Sequence, residues 1–464
     1  MRPNVLVVFL DDHAQWALGC YGNTEVQTPT LDYLARTGVR MRNAFTPTPV
    51  CSPGRAAFLT GRLSSQHGVH DYLNVWDPGV NERNWIADEL TLPEVLHDHG
   101  YTTGLAGKWH LGRSFERAPG FDFWYELADE RANQEHLDSP WQHFPGFRGG
   151  YNRHAVTDRA IDFLRARDEE KPFYLHVGYV GTHSPWENRP ERHVSRYRQC
   201  TFRDVPDDAT YPFGRMASES LMPTRRDRRE TLAQYYASAT EVDEQVGRLI
   251  DELEAQGLRE NTLVVYTSDH GLNMGHHGIW GKGNGTKPYN MVEESIRVPL
   301  ILNQPGALLG DQSRSEMVTH CDLFQTILDH TGIALPEKTL RERNYPGRSF
   351  APLLAGGHVR GWPQEVYGEY GNLRMIRTRT HKLTLRYPDG PAELIDLAED
   401  PRETVNLYDD PRHQNLVVDL TGRIERYFGQ YEDPGNSGLR VASLPQHNME
   451  EVWRFPDTDS IWWE

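Results

Sequence analysis

A chain of 464 residues exceeds one ordinary domain and leads us to expect a large domain with a smaller one. With 38% hydrophobic and 25% charged residues it is globular rather than disordered. The net charge of −17 argues against nucleic acid or an anionic membrane as the main partner, though a locally basic pocket can still hold an anion.

Val5 to Leu10 is a continuous apolar run, the pattern of a strand buried on both faces. It is too short to span a membrane and lacks a small-residue cleavage site, and a signal peptide would not tolerate Asp11 and Asp12 immediately after it. A first core strand in a cytoplasmic protein is the expectation. In open α/β sheets ligands bind beyond the carboxyl ends of the strands. Adjacent acids there are costly unless paired with a cation. Asp11 and Asp12 are therefore candidate metal ligands, and hard oxygens suit calcium, magnesium or manganese. Thr28-Pro29 starts a helix that Gly38 closes.

Cys51-Ser52-Pro53-Gly54-Arg55 runs on through Ala56-Ala57-Phe58-Leu59-Thr60-Gly61-Arg62. Pro53 fits a first helical turn, Ala56 to Leu59 continue the helix, and Gly61 ends it. Cys51 then lies just before a helix N-terminus, where partial positive charge favours an anion or a thiolate. Arg55, one turn on, adds a full positive charge. The bland alternative is a small buried inert cysteine. The other cysteines, Cys20, Cys200 and Cys321, form no Cys-x-x-Cys pair, so neither a zinc site nor a disulfide framework is indicated, and Cys20 reads as core.

Thr91 to Gly100 reads as a helix, and Thr102 to Ala106 as a strand that delivers Lys108 and His110, two residues apart, to one side. Residues 113–151 read as a long loop able to shape substrate access. Arg153 to Arg167 is an amphipathic helix. Phe173 to Val180 is a strand ending near His183, with His176 structural inside it. Residues 187–226 look irregular. Arg228 to Gln256 carries apolar residues at three- and four-residue spacing, and Gly257 stops that helix. Thr262 to Thr267 is the next buried strand. Asp269 and His270 follow it, repeating the logic of Asp11 and Asp12.

Trp280 to Lys287 is a glycine-rich loop with two lysines, ahead of Glu293-Glu294-Ser295-Ile296-Arg297-Val298-Pro299 and the strand Leu300 to Leu302. Thr319 to Thr331 is a further helix. Beyond residue 360, Gln364 to Tyr370, Arg374 to Tyr387 and Glu393 to Leu397 read as strands of a small antiparallel sheet, with a helix near His413 to Phe428. The aromatic tail, with Trp453, Trp462 and Trp463, suits packing on the body or on another subunit. The expected fold class is α/β: a large, mainly parallel or mixed sheet flanked by helices over residues 1–360, and a C-terminal antiparallel subdomain over 361–464.

Cys-x-Pro-x-Arg followed by Ala-x-x-x-Thr-Gly-Arg resembles the signature of the type I sulfatases. So do Gly107-Lys108-Trp109-His110, His183-x-Pro185, Gly281-Lys282 and Asp396-Leu397-x-x-Asp400-Pro401. The resemblance spans nearly the whole chain. It implies an alkaline-phosphatase-like fold and hydrolysis of a sulfate ester, of a sulfated carbohydrate or an aryl or alkyl sulfate. It implies that a formylglycine-generating enzyme converts Cys51 to Cα-formylglycine, and that one divalent cation, calcium favoured over magnesium or manganese, sits among Asp11, Asp12, the residue-51 oxygen, Asp269 and His270. It gives Arg55 the stabilising of the formylglycine diol, Lys108 and Lys282 the neutralising of sulfate oxygens, His183 the protonation of the leaving alcohol and His110 the removal of the diol's second proton. Lys282 follows Gly281 as the family pattern has it. The longer interval to Glu293 leaves Lys287 a competitor, assigned here to a surface or substrate-rim role. A phosphonate monoester or phosphodiester hydrolase of the same superfamily is the alternative function, and a homo-oligomer is possible.

Overall fold

The computed structural model describes residues 2–75, 77–126, 153–206, 215–216 and 227–448. An eight-stranded sheet forms the centre, in the order β8-β2-β7-β6-β1-β5-β3-β4. Its strands are β1 (Asn4–Leu10), β2 (Val39–Phe45), β3 (Thr102–Gly107), β4 (Phe123–Glu126), β5 (Phe173–Tyr179), β6 (Thr262–Ser268), β7 (Leu300–Asn303) and β8 (Gln312–Thr319). Neighbours run parallel except β7, which is antiparallel to both β2 and β6.

β1 is buried along its whole length and feeds two cores at once. Val5, Val7 and Phe9 face a core shared with α2 (Cys51–Thr60), α3 (Leu92–Asp98) and α7 (His320–His330). Leu6, Val8 and Leu10 face a second core shared with α1 (Pro29–Arg36), α4 (Arg153–Ala166) and α6 (Arg228–Ala255). Helices on both faces of a mostly parallel sheet make the three-layer α/β architecture that the apolar runs predict. A second, four-stranded antiparallel sheet follows: β9 (Glu365–Tyr370), β10 (Leu373–Thr378), β11 (His381–Arg386) and β12 (Glu393–Asp396). α8 (Gln414–Tyr431) packs on it through Val417, Leu420, Ile424 and Phe428.

Several expectations need correction. α1 ends at Arg36 with Thr37 as its cap, two residues short of Gly38. The stretch read as loop from 113 contains β4, which pairs with β3 at the sheet edge. Residues 187–226, read as irregular, contain α5 (Glu191–Tyr197). Its Val194 and Tyr197 are buried in a cluster with Tyr235 and Tyr236 of α6. Both elements are short, so neither shows a period in sequence. The substrate-access role given to residues 113–151 falls largely outside the described residues, as do Trp453, Trp462 and Trp463.

Candidate active site

Four adjacent strand ends supply the site. The register sets Leu10 beside both Ser268 and Tyr179. Asp269 N–H then donates to the Leu10 carbonyl (3.0 Å) and Thr182 N–H to the Asp11 carbonyl (3.0 Å), while Lys108 N–H donates to the Gly178 carbonyl (2.8 Å). Successive residues of a strand point to opposite faces, so Asp11 and Asp12 would diverge if the strand continued. Asp12 instead adopts a left-handed backbone, φ 59°. Thr182 Oγ1 (2.8 Å) and Tyr235 OH (3.0 Å) both donate to its carbonyl and hold that turn. A non-glycine residue there costs on the order of 1–3 kcal/mol, which the surrounding bonds offset.

Cys51 is the first residue of α2 rather than the residue before it; Val50, extended, is the cap. The alternating threonines and prolines from Thr46 to Pro49 cannot start a helix earlier, because a residue preceding proline avoids the helical region. All 10 residues of α2 are buried. Gly54 explains how the helix comes so close to β6: a Cβ there would lie 2.3 Å from the Asp269 carbonyl oxygen.

Around the Cys51 thiol, Asp11 Oδ1 lies at 3.2 Å, Lys282 Nζ at 3.0 Å and His270 Nε2 at 3.5 Å. His110 and His183 also face it. Arg55 spans Asp269 Oδ2 (3.0 Å) and Asp11 Oδ2 (3.5 Å), donates to the Lys108 carbonyl (3.1 Å) and lies 5.3 Å from the centre of the Phe9 ring. Lys108 is ion-paired with Asp11, and Lys282 with Asp12 Oδ1 at 2.6 Å. The site residues read from the sequence thus converge on one point. Lys287 does not fit its rim assignment. It is buried, donates to Tyr289 OH (2.6 Å) and stands over that ring at 3.9 Å from its centre.

Charge tunes these groups against one another. Burial alone would push the Cys51 thiol up, but Lys282 and Lys108 outweigh it and draw it well below its ordinary value. Burial and the Asp11 carboxylate push Asp269 up to about 7. Burial, then Lys108, pulls His110 down to about 4, so it is neutral at neutral pH. Burial works the same way on His183, but Asp12 prevails and lifts it above an ordinary imidazole.

The residues also fit a divalent cation. One ligand atom from each of Asp11, Asp12, Cys51 and His270 lies within 4.8 Å of the others. His270 Nδ1 bonds to the Gly271 carbonyl (2.7 Å), which leaves Nε2 turned toward the carboxylates at 3.3 Å from both Asp12 Oδ1 and Asp269 Oδ1. The repulsion that raises Asp269 is what a hard cation between the acids would cancel.

Such a centre, at the carboxyl edge of a helix-sandwiched sheet, belongs to hydrolases that set an activated nucleophile against an anionic ester with metal help. A family model described as Sulfatase matches residues 3–333, and one described as N-sulphoglucosamine sulphohydrolase, C-terminal, matches residues 275–430. An N-acetylglucosamine-6-O-sulfatase of Bacteroides thetaiotaomicron is 27% identical, the match covering 93% of this chain and 87% of that protein. Among solved structures, BT4656 in complex with its substrate D-glucosamine-2-N,6-O-disulfate has a TM-score of 0.75 at 25% identity, covering 93% of this chain and 98% of that one. A phosphonate monoester hydrolase of Agrobacterium radiobacter has a TM-score of 0.73 at 23% identity, covering 93% and 96%, a likeness of fold alone. The chain belongs to the sulfatase family, of the alkaline-phosphatase-like superfamily, and is a sulfuric ester hydrolase.

The sequence reading missed the residues that aim these groups. Thr182 and Tyr235 fix the turn at Asp12, and Phe9 underlies Arg55. No motif marks them, because each acts through contacts made between distant parts of the chain.

Proposed function

We propose that this sulfatase removes sulfate from a sulfated carbohydrate, with Cys51 converted to formylglycine by a formylglycine-generating enzyme. The observation that carries the reading is the convergence of three acids, two lysines, an arginine and three imidazoles around the Cys51 side chain. Support for a carbohydrate comes from the glucosamine sulfatase among its relatives and from the glucosamine disulfate bound in a similar structure.

The thiol stands where the hydrated aldehyde would. Formylglycine supplies a geminal diol as nucleophile, and a divalent cation held by Asp11, Asp12, Asp269 and His270, calcium favoured over magnesium or manganese, supplies the charge that lowers the hydroxyl pKa and polarises the sulfate. Arg55, fixed by Asp11 and Asp269, holds the residue-51 oxygens in place. Lys108 and Lys282 neutralise charge developing on sulfate oxygens. His183, with its raised pKa, carries the proton for the leaving alcohol, and His110, with its lowered pKa, accepts the proton from the residue-51 oxygen. Two imidazoles pushed apart in this way give the acid and the base.

The test is a rate comparison on 4-nitrophenyl sulfate, a phenylphosphonate monoester and glucosamine 6-sulfate. Sulfate release from the sugar, with the phosphonate the poorest of the three, is expected. A phosphonate rate above both sulfates would replace this reading with the phosphonate hydrolase one.

A further inference from the structure

Lys282 is the cation beside the nucleophile position that comes neither from α2 nor from a strand end of the eight-stranded sheet; it lies between two two-residue strands, Trp280–Gly281 and Thr286–Lys287. The stretch has glycine at 281, 283 and 285, and its regular pieces are short: those two strands, the first paired with Asn273–Met274, with the turn Gly283–Gly285 between them. Glycines of this density leave the backbone free to wander, and the lysine stem adds its own rotatable bonds. Yet the ammonium meets Asp12 at 2.6 Å and the Cys51 sulfur at 3.0 Å. Something outside the loop must fix it.

We infer that Asn290 is the positioning residue for Lys282. Its side chain is fully buried. Its Nδ2 donates to the Lys282 carbonyl (3.0 Å), the Gly283 carbonyl (3.2 Å) and Thr286 Oγ1 (3.1 Å). Its own backbone N–H donates to the Gly283 carbonyl at 2.9 Å. Its Oδ1 accepts from Ser295 Oγ at 2.8 Å. Ser295 Oγ in turn accepts from Asn273 Nδ2 (2.9 Å), and the same Nδ2 donates to the Gly281 carbonyl at 3.1 Å. Three consecutive carbonyls, of residues 281, 282 and 283, are thus gripped by two asparagines joined through one hydroxyl. On the other side of the loop Gly283 N–H donates to the Pro49 carbonyl (3.1 Å), two residues before Cys51. A Cβ at 283 would lie 2.6 Å from Pro49 Cγ, so glycine is needed for that approach. The clamp therefore sets the lysine relative to the nucleophile helix.

Only an amide does this. It offers donors to the carbonyls and an acceptor to the serine at once. Aspartate has no N–H and would set its oxygens against two carbonyls, and alanine would leave buried acceptors unpaired. Asn290 touches none of the reacting groups, so its effect must pass through Lys282. A displacement of about 1 Å at a group that grips the transition state costs on the order of 100-fold.

The inference rests on Lys282 acting on the sulfate, and a double-mutant cycle separates the two claims. Turnover of 4-nitrophenyl sulfate and calorimetric binding of inorganic sulfate are measured for wild type, Asn290→Ala, Lys282→Ala and the double variant, with melting curves for each. Asn290→Ala is expected to lower kcat about 10- to 100-fold with KM within about threefold. In the Lys282→Ala background it is expected to cost less than about threefold in kcat or in sulfate affinity. Equal losses in both backgrounds, or no loss from Asn290→Ala, would overturn the assignment. Wild type without turnover but with a non-additive binding cycle would overturn only the hydrolytic reading. Should Asn290→Ala fail to fold, Ser295→Ala, which frees the amide to rotate, takes its place in the cycle with the same expectations on a smaller scale.

Discussion

Lys382→Met tests how firmly the small sheet is bound to the catalytic core. Lys382 lies on β11 and is almost fully buried. Its ammonium donates to the Met291 carbonyl (2.6 Å), reaches Glu293 Oε1 (3.4 Å) and pairs with Glu403. Glu293 is also held by Arg297 (2.8 Å) and Arg377 (3.0 Å). Methionine keeps the length and apolar stem but leaves Glu403 without its ion-pair partner. Breaking one buried pair in this way costs about 3–5 kcal/mol. At about 2.1 cal/mol/K per residue, unfolding 464 residues carries roughly 1 kcal/mol/K, so Tm should fall about 3–5 °C. The sign of the pH dependence follows from the acids. Burial opposes charge on Glu293, yet Lys382, Arg297 and Arg377 hold it below the usual carboxylate range. That stability is present above the unfolded pKa and lost as pH falls through the lower folded one. Burial already raises Glu403 despite Lys382. Without the lysine it rises further, so the penalty is largest at high pH and relieved as the acid protonates. Calorimetric Tm values at pH 5 and pH 8 should show the larger loss at pH 8. A shift under 1 °C at pH 8, or equal losses at both, would refute the reasoning.

Lys282→Ala should lower kcat on an aryl sulfate by two to three powers of ten, about the scale of one lost oxyanion donor, whereas Lys287→Ala, pinned on Tyr289, should cost less than tenfold. Exhaustive chelation should abolish turnover and lower Tm, since the carboxylates then repel; one equivalent of a hard divalent cation should restore both, and elemental analysis would identify it. Cys51→Ala should remain folded and inactive, and peptide mass spectrometry of active protein should show an aldehyde or its hydrate in place of the thiol.

Much of the centre of the fold was legible in sequence because β1, β5 and β6 are buried on both faces, and a strand with no solvent face is apolar along most of its length. β2 and β8 passed unread for the opposite reason. Val39-Arg40-Met41-Arg42-Asn43 and Gln312-Ser313-Arg314-Ser315-Glu316 carry charge on a partly open side, and both lie toward one margin of the sheet. α5 and β4 are too short to show a period. At the site, residues whose chemistry is unusual for their position announced themselves: paired acids after an apolar run, a cysteine ahead of Pro-Gly-Arg. Asn290, Thr182 and Tyr235 are common residues whose importance lies only in what they bond to. Lys287 was misplaced because a lysine beside proline in a glycine-rich stretch reads as surface, and the aromatic ring that shelters it comes two residues later.

The pairing of β1 also bears on how the chain reaches this state. Val5 lies against Tyr174 on one side and Leu263 on the other. During synthesis a strand apolar from Val5 to Leu10 must therefore wait for its first partner with both edges unsatisfied, and then for the second with one edge still open. Contacts of such sequence separation form slowly, and a hydrophobic strand exposed meanwhile is prone to join the wrong chain. Asp11 and Asp269 meet only when the second partner docks. Chains cut short of residue 268 should accordingly emerge as aggregation-prone species without a metal centre, and the yield of full-length protein should be set more by translation rate and chaperone supply than by the stability of the finished fold.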